Sequence, residues 1–244
     1  MDKPGVSVIL PVHNEADSIE GVVREIYEEL RTRMDVRFVI CEDGSRDGTK
    51  DVLRRLATEI PMTLEMTDGR KGYSKAVLDG LRLVATPYFL CLDSDGQCDP
   101  KDFWALWDRV DDADVVIGNR VNRQDTWQRR AQSRAFRAVF RRLFDVRLAD
   151  PSCPFVLGRP DVVQAFPSER PTLEQGFWWE FVARAAGSGR TIAEVPVKHR
   201  VRAAGTTKVY TWKTIPGIAR SHLSGLAQIR REIEQERRAP LAHT

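Results

Sequence analysis

Residues 6–41 read VSVILPVHNEADSIEGVVREIYEELRTRMDVRFVIC, and the spacing of apolar side chains changes twice along this stretch. The segments 6–10 and 36–41 are short apolar runs rich in β-branched residues, which predict buried strands. Between them, apolar residues recur every three or four positions over 17–31, which predicts an amphipathic helix. A strand, a helix and a second strand in this order predict two parallel strands joined by a crossover helix.

The same alternation continues as far as residue 118. It predicts an α/β fold with a mainly parallel, Rossmann-like sheet flanked by helices. After residue 118 the pattern becomes mostly helical, with one further strand. The remaining predicted strands cover 62–66, 88–92, 115–118 and 191–195, and the remaining predicted helices cover 47–58, 73–84, 100–110, 127–144, 175–186 and 213–238.

The last predicted helix carries its apolar residues on one face. That stripe fits packing against the rest of the domain, a dimer interface or a membrane interface. We expect one domain over 1–211, with a nucleotide-sugar half at 1–118 and an acceptor half at 119–211. An amphipathic C-terminal helix and tail would follow at 212–244.

Polar loops follow the predicted strands, and ligands of open parallel sheets bind beyond these strand ends. The sharpest of the loops is DSDGQ at 93–97, because two aspartates two residues apart leave a buried strand. Carboxylate oxygens, with an amide oxygen from Gln97, suit Mg²⁺ or Mn²⁺. The sequence has no GxGxxG after its first strand and no GxxxxGK[ST], so it does not favour a dinucleotide or P-loop site.

Basic residues are concentrated in two segments. Residues 120–147 hold nine arginines against two aspartates, and 198–238 hold ten basic residues against three glutamates. Since the whole chain carries a net charge of only +3, the remainder is acidic. This asymmetry predicts a cation in the acidic part and an anionic partner for the basic part. No nucleic acid is expected, because neither base-stacking aromatics nor a groove-reading motif accompanies the arginines.

The composition indicates the compartment. No apolar run approaches the roughly eighteen residues of a membrane-spanning helix, and the N-terminus does not read as a signal peptide. The four cysteines show no CxxC spacing, which predicts reduced thiols. We therefore expect a cytoplasmic protein with peripheral contact at the inner face of the membrane through 212–238.

The motifs PVHNE at 11–15, EDGSRDGT at 42–49 and DSD at 93–95 together resemble the inverting family 2 glycosyltransferases of the GT-A fold. More narrowly, DSDGQCDP, IGNR, RRAQSR and RAAGTTK are similar to motifs of the polyprenol-phosphate (dolichol-phosphate) mannosyl and glucosyl synthases. The resemblance covers most of the chain. It implies transfer of a hexosyl group from a nucleoside-diphosphate sugar, GDP-mannose or UDP-glucose first, to a polyprenyl phosphate, with Mg²⁺ or Mn²⁺ as cofactor.

The resemblance and the loop positions assign roles to named residues. The expected catalytic residues are Asp95, Arg120, Arg129 and Arg202. The expected metal ligands are Asp93, Asp95 and Gln97. The donor would be bound by Pro11, His13, Glu15, Asp43, Lys71, Asp93, Ser94, Asp95, Arg202 and Lys208, and Tyr73 would touch its base or sugar. The acceptor would be bound by Arg120, Arg129, Ser133 and Glu180.

Three other functions stay open at this point. Transfer to a soluble hydroxyl acceptor would need a general base, for which Glu180 or Asp150 is the candidate. A phosphate acceptor, largely dianionic at pH 7, needs none. A nucleotidyltransferase uses the same carboxylates and metal but releases pyrophosphate. A non-enzymatic nucleotide-binding or membrane-scaffold protein would show no turnover.

Overall fold

The computed structural model describes residues 3–121, 127–200 and 215–238, with the side chains of 127–132 and 215–219 outside the description. Its strands are β1 (Gly5–Val12), β2 (Asp35–Glu42), β3 (Met62–Met66), β4 (Tyr88–Cys91), β5 (Val115–Val121), β6 (Val156–Gly158) and β7 (Ile192–Lys198). Its helices are α1 (Ile19–Leu30), α2 (Thr49–Leu56), α3 (Tyr73–Arg82), α4 (Phe103–Trp107), α5 (Trp127–Phe144), α6 (Phe177–Gly187) and α7 (Ile215–Arg238). Short 3₁₀ helices lie at Pro100–Asp102 and Pro160–Ala165.

The described strands form one seven-stranded sheet in the order β3-β2-β1-β4-β6-β5-β7. All neighbours are parallel except β6, which is antiparallel to both β4 and β5. The predicted mainly parallel α/β sheet is therefore confirmed. The sequence did not predict β6, because a strand of three residues is too short to show a period.

The chain reverses direction across the sheet at β1. It first adds β2 and β3 on one side of β1 and then returns to place β4 on the other side. The strands around this point are almost wholly buried, so their apolar residues hold the strand ends in fixed positions. A crevice at such a switch point is where α/β sheets bind ligands.

The C-terminal helix α7 packs back on the domain. Leu226, Ile229 and Ile233 are buried, and the Ile233 side chain lies so close to Gly187 of α6 that a Cβ there would be 2.7 Å from it. Of the three interpretations of the apolar stripe, packing against the domain is the one that the structure confirms for this part of the helix. These three side chains are consequently unavailable to a membrane or a dimer interface.

The aromatic side of α5 covers α6. The Phe136 and Phe140 rings lie with their centroids 4.6 and 4.9 Å from that of Trp179. Phe136 also contacts the His222 ring of α7. The three helices α5, α6 and α7 thus form one layer beside the sheet. No described helix is both long enough and apolar enough to cross a bilayer.

All four cysteines are buried and free of disulfides, as the sequence predicted. Burial, followed by the charge of Glu65, raises the pKa of the Cys41 thiol to about 12. Burial likewise raises the pKa of Cys153 to about 12. Thiols with such pKa values are protonated at neutral pH and therefore poor nucleophiles and poor metal ligands.

Candidate active site

A cavity of about 200 Å³ opens at the switch point between β1 and β4. Three chain segments predicted to carry chemistry converge there, namely the loops after β1, β2 and β4. The cavity is lined by Pro11, Val12, His13, Glu15, Asp43, Arg70, Tyr73, Ala76, Asp93, Ser94 and Asp95. Seven of the residues predicted to bind the donor therefore share one cavity.

Hydrogen bonds fix the DSD turn after β4. The Ser94 hydroxyl donates to the Pro11 carbonyl oxygen at 2.9 Å, which ties the turn to the end of β1. The backbone N–H of Gln97 donates to Asp95 Oδ1 at 3.1 Å. Asp93 Oδ1 accepts from the Tyr73 hydroxyl at 2.8 Å. Both aspartates thus have their carboxylates oriented at the cavity wall before any ligand binds.

Asp43 organises the loop before α3. Its carboxylate is buried, and Oδ1 accepts the backbone N–H groups of Lys71 and Gly72 at 2.6 and 3.0 Å. Its Oδ2 lies 3.4 Å from Arg70 Nε. The carboxylate that the sequence assigns to donor binding therefore also holds the loop that forms one side of the cavity.

The loop after β1 is joined to the loop after β2. The Arg46 N–H donates to Asn14 Oδ1 at 2.9 Å, so the Asn14 amide nitrogen faces His13 Nε2, 3.0 Å away. Since that nitrogen donates to Nε2, the His13 proton lies on Nδ1 and is donated to the Asp43 carbonyl oxygen at 2.7 Å. These contacts fix the orientation of the His13 ring at the cavity wall.

Gly44 brings two of these loops into backbone contact. It has a positive φ of 67°, and a Cβ at this position would lie 2.7 Å from the Gly69 carbonyl carbon. Gly48 also has a positive φ, of 89°, but a Cβ there would meet nothing within 4 Å. Substituting each glycine in turn therefore distinguishes the cost of backbone strain, present at both positions, from the cost of a steric clash, present only at Gly44.

Gly44→Ala is expected to destabilise the protein by about 2–3 kcal/mol, because left-handed strain and a backbone clash add together. Gly48→Ala, which carries the strain alone, is expected to cost about 1 kcal/mol. Urea unfolding of the two variants measures both values. Equal costs would show that the loops after β2 and β3 separate freely.

The cavity is strongly acidic. Its lining includes the carboxylates of Glu15, Asp43, Asp93 and Asp95 and one guanidinium, that of Arg70. An anionic ligand entering alone would meet net repulsion here. The described residues contain no cluster of three or more His, Cys, Asp or Glu arranged for a metal ion. Asp93 and Asp95 supply two carboxylates at this wall, and a hard cation bound by two carboxylates fills its other positions with water or phosphate oxygens.

The comparisons with known proteins agree with this geometry. Residues 7–165 match the family described as Glycosyl transferase family 2. The chain belongs to glycosyl transferase family 2. The match covers every loop that lines the cavity.

Curated relatives of this family 2 glycosyltransferase include two named undecaprenyl-phosphate 4-deoxy-4-formamido-L-arabinose transferase. The one from Edwardsiella ictaluri is 28% identical over 86% of this chain and 64% of its own length. The one from Pseudomonas syringae pv. syringae is 30% identical over 83% of this chain and 60% of its own length. The chain thus spans about three fifths of the length of these relatives.

Solved structures share the fold of this family 2 glycosyltransferase. Glucosyl-3-phosphoglycerate synthase from Mycobacterium tuberculosis, solved with Mn²⁺, UDP-glucose and phosphoglyceric acid, has a TM-score of 0.66 at 17% identity, over 93% of this chain and 80% of its own. Mannosyl-3-phosphoglycerate synthase from Rubrobacter xylanophilus has a TM-score of 0.68 at 19% identity, over 98% and 77%. The GT-A fold is confirmed.

Two predicted ligands of the glycosyltransferase site have other partners. The Lys71 ammonium binds Glu65 and, at 2.8 Å, Asp79. Lys71 does not line the described cavity, and its backbone N–H donates to Asp43 Oδ1. The Gln97 side-chain amide lies 3.2 Å from the Arg200 carbonyl oxygen, to which it donates. Gln97 joins the DSD turn to the end of β7, and its role as a metal ligand stays a prediction.

Glu180 is a buried structural residue. Its carboxylate is 0% exposed and accepts from Arg184 Nε at 2.8 Å and from the Leu173 N–H at 2.7 Å. It does not line the described cavity. The prediction that Glu180 contacts the acceptor is therefore not supported by its position. The four-residue spacing of Glu180 and Arg184 on an apolar helix was the signal for this ion pair.

Arg120 is held by a carboxylate at the end of β5. Its Nε and Nη2 donate to the two oxygens of Asp150 at 2.7 and 2.9 Å, and Nη2 also contacts the Ser152 hydroxyl at 3.0 Å. Burial alone would lower the pKa of Arg120, but Asp150 outweighs it and raises that pKa. The sequence did not predict this pair, which makes Asp150 a counter-ion rather than a free base.

The remaining predicted residues lie on helix α5 or beyond β7. Ser133 is exposed on α5. The Arg129 side chain, Arg202 and Lys208 lie outside the described residues. Their assignment to the acceptor and to the donor diphosphate stays a prediction.

Proposed function

We propose that this family 2 glycosyltransferase moves a sugar from a nucleoside-diphosphate sugar to a polyprenyl phosphate, with a divalent cation and with inversion. The fold, the family and the names of the curated relatives support the reaction class and the acceptor. In this step the bond from the anomeric carbon to the donor diphosphate breaks. A bond from the same carbon to an acceptor phosphate oxygen forms, and a nucleoside diphosphate leaves.

The acidic cavity at the end of β4 is the observation that carries this proposal. A diphosphate donor fits beside Asp93 and Asp95 only if positive charge lies between the diphosphate and the two carboxylates. The two aspartates are the proposed holders of Mg²⁺ or Mn²⁺, with Gln97 as the predicted third ligand. When bound, the cation would neutralise the charge that develops on the leaving diphosphate.

The donor nucleoside is proposed to lie along β1 and β2. Asp43 and Glu15 accept hydrogen bonds from its base and ribose, while His13, Pro11 and Ser94 form the adjacent wall. Because the Asp43 carboxylate also holds the backbone at Lys71, base binding and loop closure share one group. Arg202 and Lys208 are proposed to add positive charge to the diphosphate.

The acceptor phosphate is proposed to bind between β5 and α5. Arg120 at the strand end and Arg129 with Ser133 on the helix supply charge-assisted hydrogen bonds. The acceptor needs no protein base, because its second pKa near 6 leaves it largely dianionic at pH 7. The buried and paired state of Glu180 agrees with a reaction that uses no base from this helix.

The outer surface of α5 and α7 suits a membrane that carries the lipid acceptor. Arg134, Arg141 and Arg142 are exposed on α5. The described part of these helices also exposes two large apolar side chains, Val139 on α5 and Leu223 on α7. Basic residues around apolar ones favour an anionic lipid surface. We propose peripheral contact with the cytoplasmic face through this surface rather than through the buried stripe of α7.

The sugar is the open part of the proposal. Mannose and glucose follow from the sequence motifs, whereas the curated relatives are named for 4-deoxy-4-formamido-L-arabinose. The decisive assay offers UDP-glucose, GDP-mannose and a nucleoside-diphosphate-linked 4-deoxy-4-formamido-L-arabinose, with Mn²⁺ and undecaprenyl phosphate. We expect one donor to yield a glycosylated lipid and a nucleoside diphosphate, and EDTA to stop the reaction.

Three results would contradict the proposal or a part of it. Release of pyrophosphate, when a nucleoside triphosphate and a sugar 1-phosphate replace the donor, would identify a nucleotidyltransferase. Transfer to a soluble sugar or small hydroxyl compound offered in a parallel reaction, with none to the lipid phosphate, would identify a hydroxyl-directed glycosyltransferase. Full turnover in EDTA would remove the cation from the mechanism while leaving the acceptor in place.

A further inference from the structure

The Tyr73 hydroxyl connects the DSD turn to helix α6. It donates to Asp93 Oδ1 at 2.8 Å and accepts from the indole N–H of Trp178 at 2.9 Å. Tyr73 is the first residue of α3 and lines the cavity, whereas Trp178 is buried in α6. The Tyr73 hydroxyl therefore joins Asp93, in the predicted nucleotide-sugar half (the donor half) at 1–118, to Trp178, in the predicted acceptor half at 119–211.

The direction of these two hydrogen bonds is fixed by chemistry. An indole N–H only donates, so Trp178 uses the lone pair of the Tyr73 oxygen. The single hydroxyl proton is then left for Asp93, whose ionised carboxylate only accepts.

Both ends of this connection are anchored. Phe177 and Phe181 pack around the Trp178 ring at centroid distances of 5.1 and 5.3 Å. The Ser74 hydroxyl, one residue after Tyr73, donates to the Glu174 carbonyl oxygen at 2.9 Å. The Tyr73 oxygen is therefore held between α3 and α6, and the Asp93 carboxylate is held with it.

We infer that Tyr73 is a positioning residue for Asp93 and that Trp178 sets the direction of the Tyr73 proton, so that a side chain of the acceptor half tunes cation binding in the donor half. This inference rests on the proposed function, because it assigns the cation to the DSD turn. Partners that orient a metal-binding carboxylate affect metal affinity by about 10–100-fold when removed.

The test measures Mn²⁺ binding to the full chain in the presence of saturating UDP or GDP. The electron paramagnetic resonance signal of free Mn²⁺ reports the binding. Tyr73→Phe keeps the ring and removes the hydroxyl, and we expect about tenfold weaker Mn²⁺ binding. Trp178→Phe keeps Tyr73 but frees its proton to turn away, and we expect a smaller loss of about threefold. Because Trp178 acts only through that hydroxyl, the double variant should bind no more weakly than Tyr73→Phe alone.

Trp179→Phe is the matched control. Trp179 neighbours Trp178 and packs against Phe136 and Phe140 of α5, but it does not touch the Tyr73 hydroxyl in the described contacts. It should leave Mn²⁺ affinity unchanged while altering the same helix layer. Thermal unfolding of each variant checks that the fold is retained, and Trp178→Phe carries the test by itself if Tyr73→Phe does not fold.

The outcomes separate this inference from the function on which it rests. Mn²⁺ binding by the wild-type protein that Tyr73→Phe and Trp178→Phe leave unchanged would overturn the positioning role and leave the proposed function intact. Losses that add in the double variant would overturn the relay from Trp178. A wild-type protein that binds no Mn²⁺ with either nucleotide would overturn the cation site, and this inference with it.

Discussion

Asp95→Asn is expected to lower kcat at least about a hundredfold, the scale on which groups that stabilise transition-state charge act. The amide has nearly the shape of the carboxylate, and its oxygen still accepts the Gln97 N–H. What it lacks is the negative charge that holds a cation in the cavity. Initial rates with saturating donor and Mn²⁺, together with Mn²⁺ binding, measure the loss.

Asp99→Asn is a close control for this variant. Asp95 and Asp99 are both 8% exposed, and each accepts a backbone N–H two residues further on at 3.1 Å. Asp99, however, pairs with Arg200 and does not line the described cavity. We expect Asp99→Asn to keep kcat within about threefold, since it loses only a partly exposed ion pair. Equal rate losses in both variants would contradict the cation site at Asp95.

Glu180→Ala is expected to destabilise the protein by about 3–5 kcal/mol, because it leaves the buried Arg184 guanidinium without the one of its two carboxylate partners that is fully buried. Arg184 is 2% exposed, so water does not readily replace the missing partner. The Leu173 N–H also loses its acceptor. Urea unfolding measures the change in the free energy of unfolding.

Glu232→Ala removes the other carboxylate from the same arginine. Its side chain is 27% exposed on α7, and it lies 2.7 Å from Arg184 Nη2. We expect a cost of about 1 kcal/mol, since water reaches the vacated position.

The folded fraction of Glu180→Ala should keep the wild-type kcat. A large fall in kcat at unchanged stability would return Glu180 to the acceptor site as a base.

The strands and helices of the first 118 residues were predictable because each has a strong period of its own. The structure lengthens some of them for tertiary reasons. The strand predicted at 6–10 extends to Val12, since Pro11 and Val12 stay in register with Cys41 and Glu42 of β2. Beyond these 118 residues, the helix predicted from 175 starts later, at Phe177, because Gly176 adopts a left-handed conformation.

The cavity residues were predictable for a topological reason. Parallel strands end at one edge of a sheet, so His13, Asp43 and Asp95 had to meet there once the alternation was recognised. Side-chain partners depend on packing between elements that are distant in sequence. Lys71 could not be placed without knowing that Glu65 and Asp79 would surround its ammonium, and Arg120 could not be placed without Asp150.

The position of β6 has a consequence for synthesis on the ribosome. This strand lies between β4 and β5, although it follows both of them in the chain. Until residue 158 has emerged, β4 and β5 each present an open edge to other nascent chains. The sheet built by β1 to β5 therefore stays incomplete until β6 has been synthesised, and its open edges are exposed to other chains during that interval.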